Sequence, residues 1–266
     1  MVTDGTRSMP PRARTGRLYL VPAPLDFGCR EQLPLQDQMP AATLAVAARL
    51  GHWVCENAKS LRAYLGRVHA VVPLAAPLQS LQIAELPREV HKKGDHGGGH
   101  DATALLADAC AGHDVGLTSE AGMPAIADPG SSVVRAAHTL GLEIVPLVGP
   151  VSLMLTLAAS GMNGQNFAFV GYLPSDGAGR AHRIRELEAL AGRTGQTQMF
   201  IETPYRNAAM MQTLLQTLSS TTRLAVSSGL TTGNARNFSA PVAHWRKPLA
   251  PPSPDNATPA VFAIGP

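Results

Sequence analysis

Cysteine is scarce in this sequence, and so is net charge. The three cysteines, Cys29, Cys55 and Cys110, stand far apart and form no CxxC pair. That pattern supports neither a disulfide framework nor a zinc site, and it fits a reducing compartment, the cytoplasm. Charged residues make up 15% of the chain and leave a net charge of only +3, a mild basic excess that neither demands nor forbids a polyanionic partner. No uninterrupted apolar run is long enough to cross a bilayer, and the N-terminus lacks the apolar core of a secretory signal. The most apolar segment, LVGPVSLMLTLAASGM, is broken by Gly149, Pro150 and Ser152 and reads as a buried helix. No membrane partner is expected, and no internal repeat is visible.

What is present is enough apolar material for two cores. With 266 residues and 45% hydrophobic content, the chain accommodates two domains of ordinary size. Residues 1–16 read as a flexible basic leader, with Arg7, Arg12 and Arg14 against Asp4. The remainder divides into an N-terminal α/β domain over 17–149 and a C-terminal α/β domain over 150–266, with Gly149-Pro150 at the junction.

Residues 115–152 organise the chain. Val115 to Thr118 is a short apolar run with the pattern of a buried parallel strand. The loop SEAGMPAIADPG carries two glycines and two prolines and cannot continue as regular structure. Asp128 before Pro129 reads as a helix N-cap. Val133, Val134, Ala137 and Leu140 line one helix face up to Gly141, and Glu143 to Leu147 forms the next strand. This βαβ pattern places its loops at the carboxyl ends of parallel strands, where open α/β sheets bind ligands.

Elsewhere the pattern predicts strands at Leu18–Val21, His52–Cys55 and Val68–Val72, with a helix over Ala41–Leu50. Residues 80–101 lack periodicity. Their HKKGDHGGGH segment reads as a mobile loop over the cleft rather than a metal site, because a glycine run cannot hold ligands at fixed spacing. Asp101 caps a helix carrying Leu105, Leu106 and Ala109. In the second half, strands are expected at Phe167–Val170, Gln198–Ile201, Arg223–Ser227 and in the closing TPAVFAIG. Helices are expected over Val151–Ser160, through Ile184, Leu187 and Leu190, and after Thr203-Pro204 with Met211, Leu214, Leu215 and Leu218 at helical spacing.

The segments SEAGMPAIADPG and VPLVGPVS resemble the tetrapyrrole (corrin/porphyrin) methylase superfamily, and within it the ribosomal RNA small subunit methyltransferase I family. LYLVPAPL, FAFVGYLP, FIETPYRN and the LTT of 230–232 fall in matching order, so the resemblance runs from about Leu18 nearly to the C-terminus. It implies two α/β domains, a mostly parallel N-terminal sheet and a mixed C-terminal one, with S-adenosylmethionine (SAM) in the cleft between them. The implied activity is SAM-dependent methylation of the ribose 2′-hydroxyl of a cytidine in small-subunit rRNA, with the 30S subunit as partner, a cytoplasmic location and a homodimer. Methylation of a tetrapyrrole or another small-molecule acceptor is the alternative, followed by a non-catalytic SAM- or RNA-binding paralogue.

By the same resemblance, Pro22, Pro24, Ser119, Glu120, Ala121, Gly122, Pro124, Pro150, Ser152, Leu230 and Thr231 are expected at the cofactor. Glu120, Glu202 and Arg206 are the expected catalytic groups, and no metal is expected. Asp128 joins Glu120 as a preferred ionisable residue, with a pure helix cap as its rival role. The sequence departs from the family pattern at Asp26 and Phe27, at Asn57, where a carboxylate is usual, and at Ser228, where a glutamate is usual. Arg180, Arg183 and Arg185 are candidates for phosphate contact, against a solvated helix face.

Overall fold

The computed structural model describes residues 14–26, 32–87, 89–90, 95–97, 99–248 and 254–266. Most of the leader, Phe27, Cys29 and part of the His/Gly segment therefore lie outside the described residues.

The first half builds a parallel sheet of five strands: β1 (Arg17–Leu20), β2 (His52–Cys55), β3 (Gln82–Glu85), β4 (Val115–Thr118) and β5 (Glu143–Pro146), in the order β3-β2-β4-β1-β5. Successive side chains alternate between its faces. Tyr19, Val21 and Trp53 pack against helices α1 (Ala41–Arg49) and α2 (Ala58–His69). Leu18, Val54 and Leu117 pack against α3 (Ala107–Cys110) and α4 (Ser131–Thr139) on the other. Gly116 in the central strand is required by packing, since a Cβ there would lie 2.6 Å from the Trp53 ring.

The second half builds a mixed sheet from β6 (Phe167–Tyr172), β7 (Thr197–Glu202), β8 (Arg223–Ser228), β9 (Arg236–Pro241) and β10 (Ala260–Gly265), ordered β6-β7-β10-β8-β9. Only β6 and β7 run parallel; β10 pairs antiparallel with β7 and β8. Phe200 and Phe262, stacked 5.6 Å apart, face α6 (Gly177–Thr194) and α7 (Asn207–Thr217). Met199, Ala225 and Val261 face α5 (Ser152–Ser160). A four-residue helix, α8 (Val242–Trp245), follows β9. Among the described residues no helix is long and apolar enough to cross a membrane.

The expected fold class, a parallel first sheet and a mixed second one, is what the chain adopts. Three local expectations are corrected. Val68 belongs to α2, because Leu61, Leu65 and Val68 share one helical face, and the strand expected at Val68–Val72 does not form. The third strand is instead Gln82–Glu85, four residues with no buried side chain. Strand β9 was not anticipated either; it begins in polar residues beside the glycine-bearing turn.

The third correction concerns Asp128, which does not cap α4. The N-cap is Gly130, at φ 133°, and its side chain has nothing to offer. The capping carboxylate is the buried Asp95, whose Oδ2 accepts from the Gly130 and Ser132 amides at 2.9 and 2.8 Å and from the Ser132 hydroxyl at 2.6 Å. Arg135 also donates to the Asp95 carbonyl. Burial alone would raise the Asp95 carboxyl, but the Ser132 hydroxyl and the two amides hold it below the usual carboxylate value. Part of the segment expected to be a mobile loop is thus fastened to the helix that follows the 119–130 loop.

Candidate functional site

All parallel strands of the first sheet end on one side, and four of those ends converge on a cleft facing the second sheet. Glu56 follows β2, the 119–130 loop follows β4, and Pro22 to Leu25 follow β1. The segment after β5 reaches α5 through Gly149, where a Cβ would lie 2.3 Å from Pro22 Cγ. This close approach explains a glycine between β5 and α5. From the other side come Tyr172, Glu202, the Ser227–Leu230 segment and Pro259–Val261. Between the two sets lies a cavity of about 460 Å³, inside the usual range of about 300–1,000 Å³ for small-molecule sites.

The 119–130 loop is held in an uncommon conformation. Ala125 and Ala127 sit at φ 64° and 66°, a left-handed region that costs a non-glycine residue about 1–2 kcal/mol. Gly122 exchanges both backbone hydrogen bonds with Ala23, at 2.8 and 2.9 Å, and the Ser119 hydroxyl donates to the Ala121 carbonyl at 3.1 Å. These bonds fix the loop against the β1 end and leave the Asp128 carboxylate facing the cavity.

Four carboxylates line that cavity: Glu56, Glu120, Asp128 and Glu202. The Ser60 hydroxyl donates to Glu120 at 2.9 Å, and Glu56 accepts the Glu120 amide at 3.3 Å. Burial, reinforced by the charges of Glu56 and Glu120, pushes Asp128 up to about 7 despite the nearby Ser119 hydroxyl. Glu202 is buried, accepting from the Thr203 amide at 2.7 Å and from Arg206 at 2.6 Å. Desolvation of its hydroxyl end and the charges of Asp128 and Glu202 raise the Tyr172 hydroxyl, although the side chain as a whole is largely exposed.

Of the residues expected at the cofactor, Glu120, Ala121, Gly122, Ser152 and Leu230 line the cavity, as does Glu202 from the catalytic set. Others stand behind the wall. Pro22 and Pro24 are buried, and the Pro22 carbonyl accepts from the Tyr64 hydroxyl. Ser119 supports the loop from beneath, while Pro124 lies on its far side with Leu20 and Val134. Pro150 sits behind Gly122, Thr231 turns its hydroxyl to Gln38, and Arg206 backs Glu202.

The remaining members of ETPYRN divide sharply. Asn207 is fully buried and pins the Asp255 and Thr258 carbonyls at 2.7 and 2.9 Å, a structural role that fixes the approach to β10. Tyr205 is 70% exposed and Tyr172 58%. Asn57 caps α2 by accepting from the Lys59 and Ser60 amides. Asp26 is 1% exposed and turned into a two-pronged ion pair with Arg67, both contacts at 2.8 Å. Arg180 is buried as well, donating to Thr213 and the Ser175 carbonyl, so this member of the candidate arginine group is not presented to a phosphate. Arg183 pairs with Glu186. No metal-holding cluster exists among the described residues. Tyr172 and Met123 in the cavity wall were missed as site residues, although both lie inside the segments FAFVGYLP and SEAGMPAIADPG that the sequence singles out.

No family model matches the chain. A Pseudomonas aeruginosa protein named ribosomal RNA small subunit methyltransferase I is 40% identical over 95 residues, which is 36% of this chain and 32% of the relative. A protein of the same name from Mesorhizobium japonicum is 27% identical over 227 residues, covering 85% of this chain and 68% of the relative. The chain matches 32% to 42% of the length of the first three such relatives. Among solved structures, the methyltransferase CobJ superposes with a TM-score of 0.52 at 18% identity, over 94% of each chain. The chain shares its fold with the methyltransferase CobJ. In sequence the chain is a relative of the proteins named ribosomal RNA small subunit methyltransferase I. The cavity occupies the cleft between the two sheets, and the 119–130 loop is its floor.

Proposed function

We propose that this chain is a SAM-dependent methyltransferase whose acceptor is the 2′-hydroxyl of a cytidine in small-subunit rRNA. The observation that carries the reading is the placement of Asp128 in the wall of the cavity with Glu56 and Glu120, where burial and those charges push its carboxyl up to about 7. The relatives' names supply small-subunit rRNA as the acceptor class; the cytidine 2′-hydroxyl is what the family resemblance implies.

The cavity fits SAM on two counts. Its carboxylates complement a sulfonium cation, and Met123, Ile126, Leu153 and Leu230 provide the apolar wall that a nucleoside and a thioether chain need. When bound, SAM supplies a methyl group made electrophilic by the sulfonium. Glu56 and Glu120 hold positive charge in place. Asp128 takes the acceptor hydroxyl proton, a task for which a pKa near the working pH is the best match and which contributes about 10²–10⁴ in rate. Positioning contributes the larger share. Tyr172 in the cavity wall and Tyr205, exposed and next in sequence to the wall residue Pro204, present aromatic faces on which an unstacked base rests.

The test is transfer of labelled methyl from SAM to small ribosomal subunits lacking the modification, followed by digestion to nucleosides. Label in 2′-O-methylcytidine supports the reading. One observation favours a second reading, a small-molecule acceptor: among the described residues Arg180 is turned inward and the cavity lining carries four carboxylates and no lysine or arginine to meet a phosphate. Turnover with a small acceptor and none with subunits would select it.

A further inference from the structure

Thr231 stands out twice. It is a β-branched residue at φ 65°, a region that such side chains avoid. Its hydroxyl also does not enter the cavity but donates to Gln38 Oε1 at 2.8 Å, across 193 residues of sequence. The same Gln38 donates through Nε2 to the buried Asp26 at 3.3 Å. Arg67 grips both Asp26 oxygens at 2.8 Å and the Leu33 carbonyl at 2.9 Å. A continuous chain therefore runs Arg67–Asp26–Gln38–Thr231, from a helix of the first lobe to a turn of the second.

That turn is one wall of the cavity. Gly229 and Leu230 line it. The turn closes on itself through the Thr232 amide to the Gly229 carbonyl at 3.0 Å, with Gly229 at φ 59°. Left-handed Gly229 carries no strain, but a left-handed threonine two residues later persists only when the surrounding structure anchors it. Gln38 supplies that anchor, and the residue that orients Gln38 is Asp26, one of the positions where the sequence departs from the pattern of the family it resembles.

We propose that Gln38 and Thr231 form an interlobe clasp, oriented by the Asp26–Arg67 ion pair, that holds the Gly229–Thr232 turn in its cavity-lining conformation. Gln38 and Thr231 are positioning residues: they set affinity for the cavity's ligand through Gly229 and Leu230. The ligand half of this inference rests on the SAM reading; the clasp itself does not.

The variants are Thr231→Val, which removes the hydroxyl and keeps the branch, Thr231→Ser, which restores it, Gln38→Ala, and the Thr231→Val/Gln38→Ala double. Hydrogen exchange of the Thr232 and Ala235 amides, read without ligand, tests the clasp. Both single variants are expected to speed exchange about fivefold, the net worth of one hydrogen bond. The double should do no more than either, and Thr231→Ser should restore protection. Wild-type exchange in both single variants, or additive effects in the double, overturns the clasp. Calorimetry with SAM tests the second half: about fivefold weaker binding in Thr231→Val, rescued by Thr231→Ser, is expected. Unchanged affinity with accelerated exchange overturns the positioning role while the clasp stands. A wild-type protein that does not bind SAM fails the methyltransferase reading instead, and the exchange result still decides the clasp.

Discussion

Replacing Asp128 by asparagine should make the protein more stable and less active, and the stability gain should depend on pH. Folding takes this carboxyl from its ordinary 3.8 to about 7. Three pH units at about 1.4 kcal/mol each set a ceiling of about 4 kcal/mol on the cost of its charge. Asp128 is not fully buried, and solvent reduces the cost to about 1–2 kcal/mol. The direction follows from proton linkage. Between pH 4 and 7 the folded state binds the proton and the unfolded state does not, so stability falls as pH rises through that window and is level above it. Asparagine carries no such charge. Urea unfolding of Asp128→Asn against wild type should therefore show an advantage that grows by about 1–2 kcal/mol from pH 5 to pH 8, at equal m. Methyl transfer should fall by about 10²–10⁴. An advantage identical at both pH values would refute the claim that the fold penalises this charge. Undiminished transfer would refute its role as the base.

Gly116→Ala should lower the urea midpoint by the equivalent of about 1–3 kcal/mol, because the new methyl meets the Trp53 ring at 2.6 Å and must displace it. Asp95→Ala should cost about 2 kcal/mol at pH 7 through loss of the α4 cap. Because the Asp95 carboxyl is held low, its contribution is present above pH 4 and disappears as pH falls below that, so the two proteins should converge in acid unfolding. Tyr205→Ala should leave thermal stability and SAM affinity intact, since this side chain is 70% exposed. It should raise KM for the RNA acceptor by about tenfold, the worth of one stacked base; a KM unchanged from wild type would remove Tyr205 from the acceptor site.

The alternation of Leu18, Tyr19 and Leu20, the central run Val115–Thr118 and the closing TPAVFAIG made most strands legible, because each is buried on both faces of a sheet. Strand β3 was hidden by having no buried side chain of its own: it is an edge held only by β2. Val68 was misplaced because a β-branched residue beside Val71 and Val72 mimics a strand once the helical spacing back to Leu61 is overlooked. The cavity-lining glycines, alanines and acids of the 119–130 loop were visible as a pattern. What no local pattern shows is which acid does which work. Asp128 precedes Pro129 as a cap would, yet Asp95, distant in sequence, takes the capping bonds and frees Asp128 for the cavity. Asp26 and Thr231 likewise acquire their partners, Arg67 and Gln38, only when the chain closes.

The most direct measurement is calorimetric titration of SAM at pH 7 in two buffers of different ionisation enthalpy. A sulfonium seated beside Asp128 favours its charged form and lowers its pKa in the complex, so binding should release a fraction of a proton, about half where the carboxyl is half-protonated. Asp128→Asn should bind without that release. Binding with no proton released by the wild type, or the same release from the variant, would contradict the placement of the cofactor's charge against Asp128.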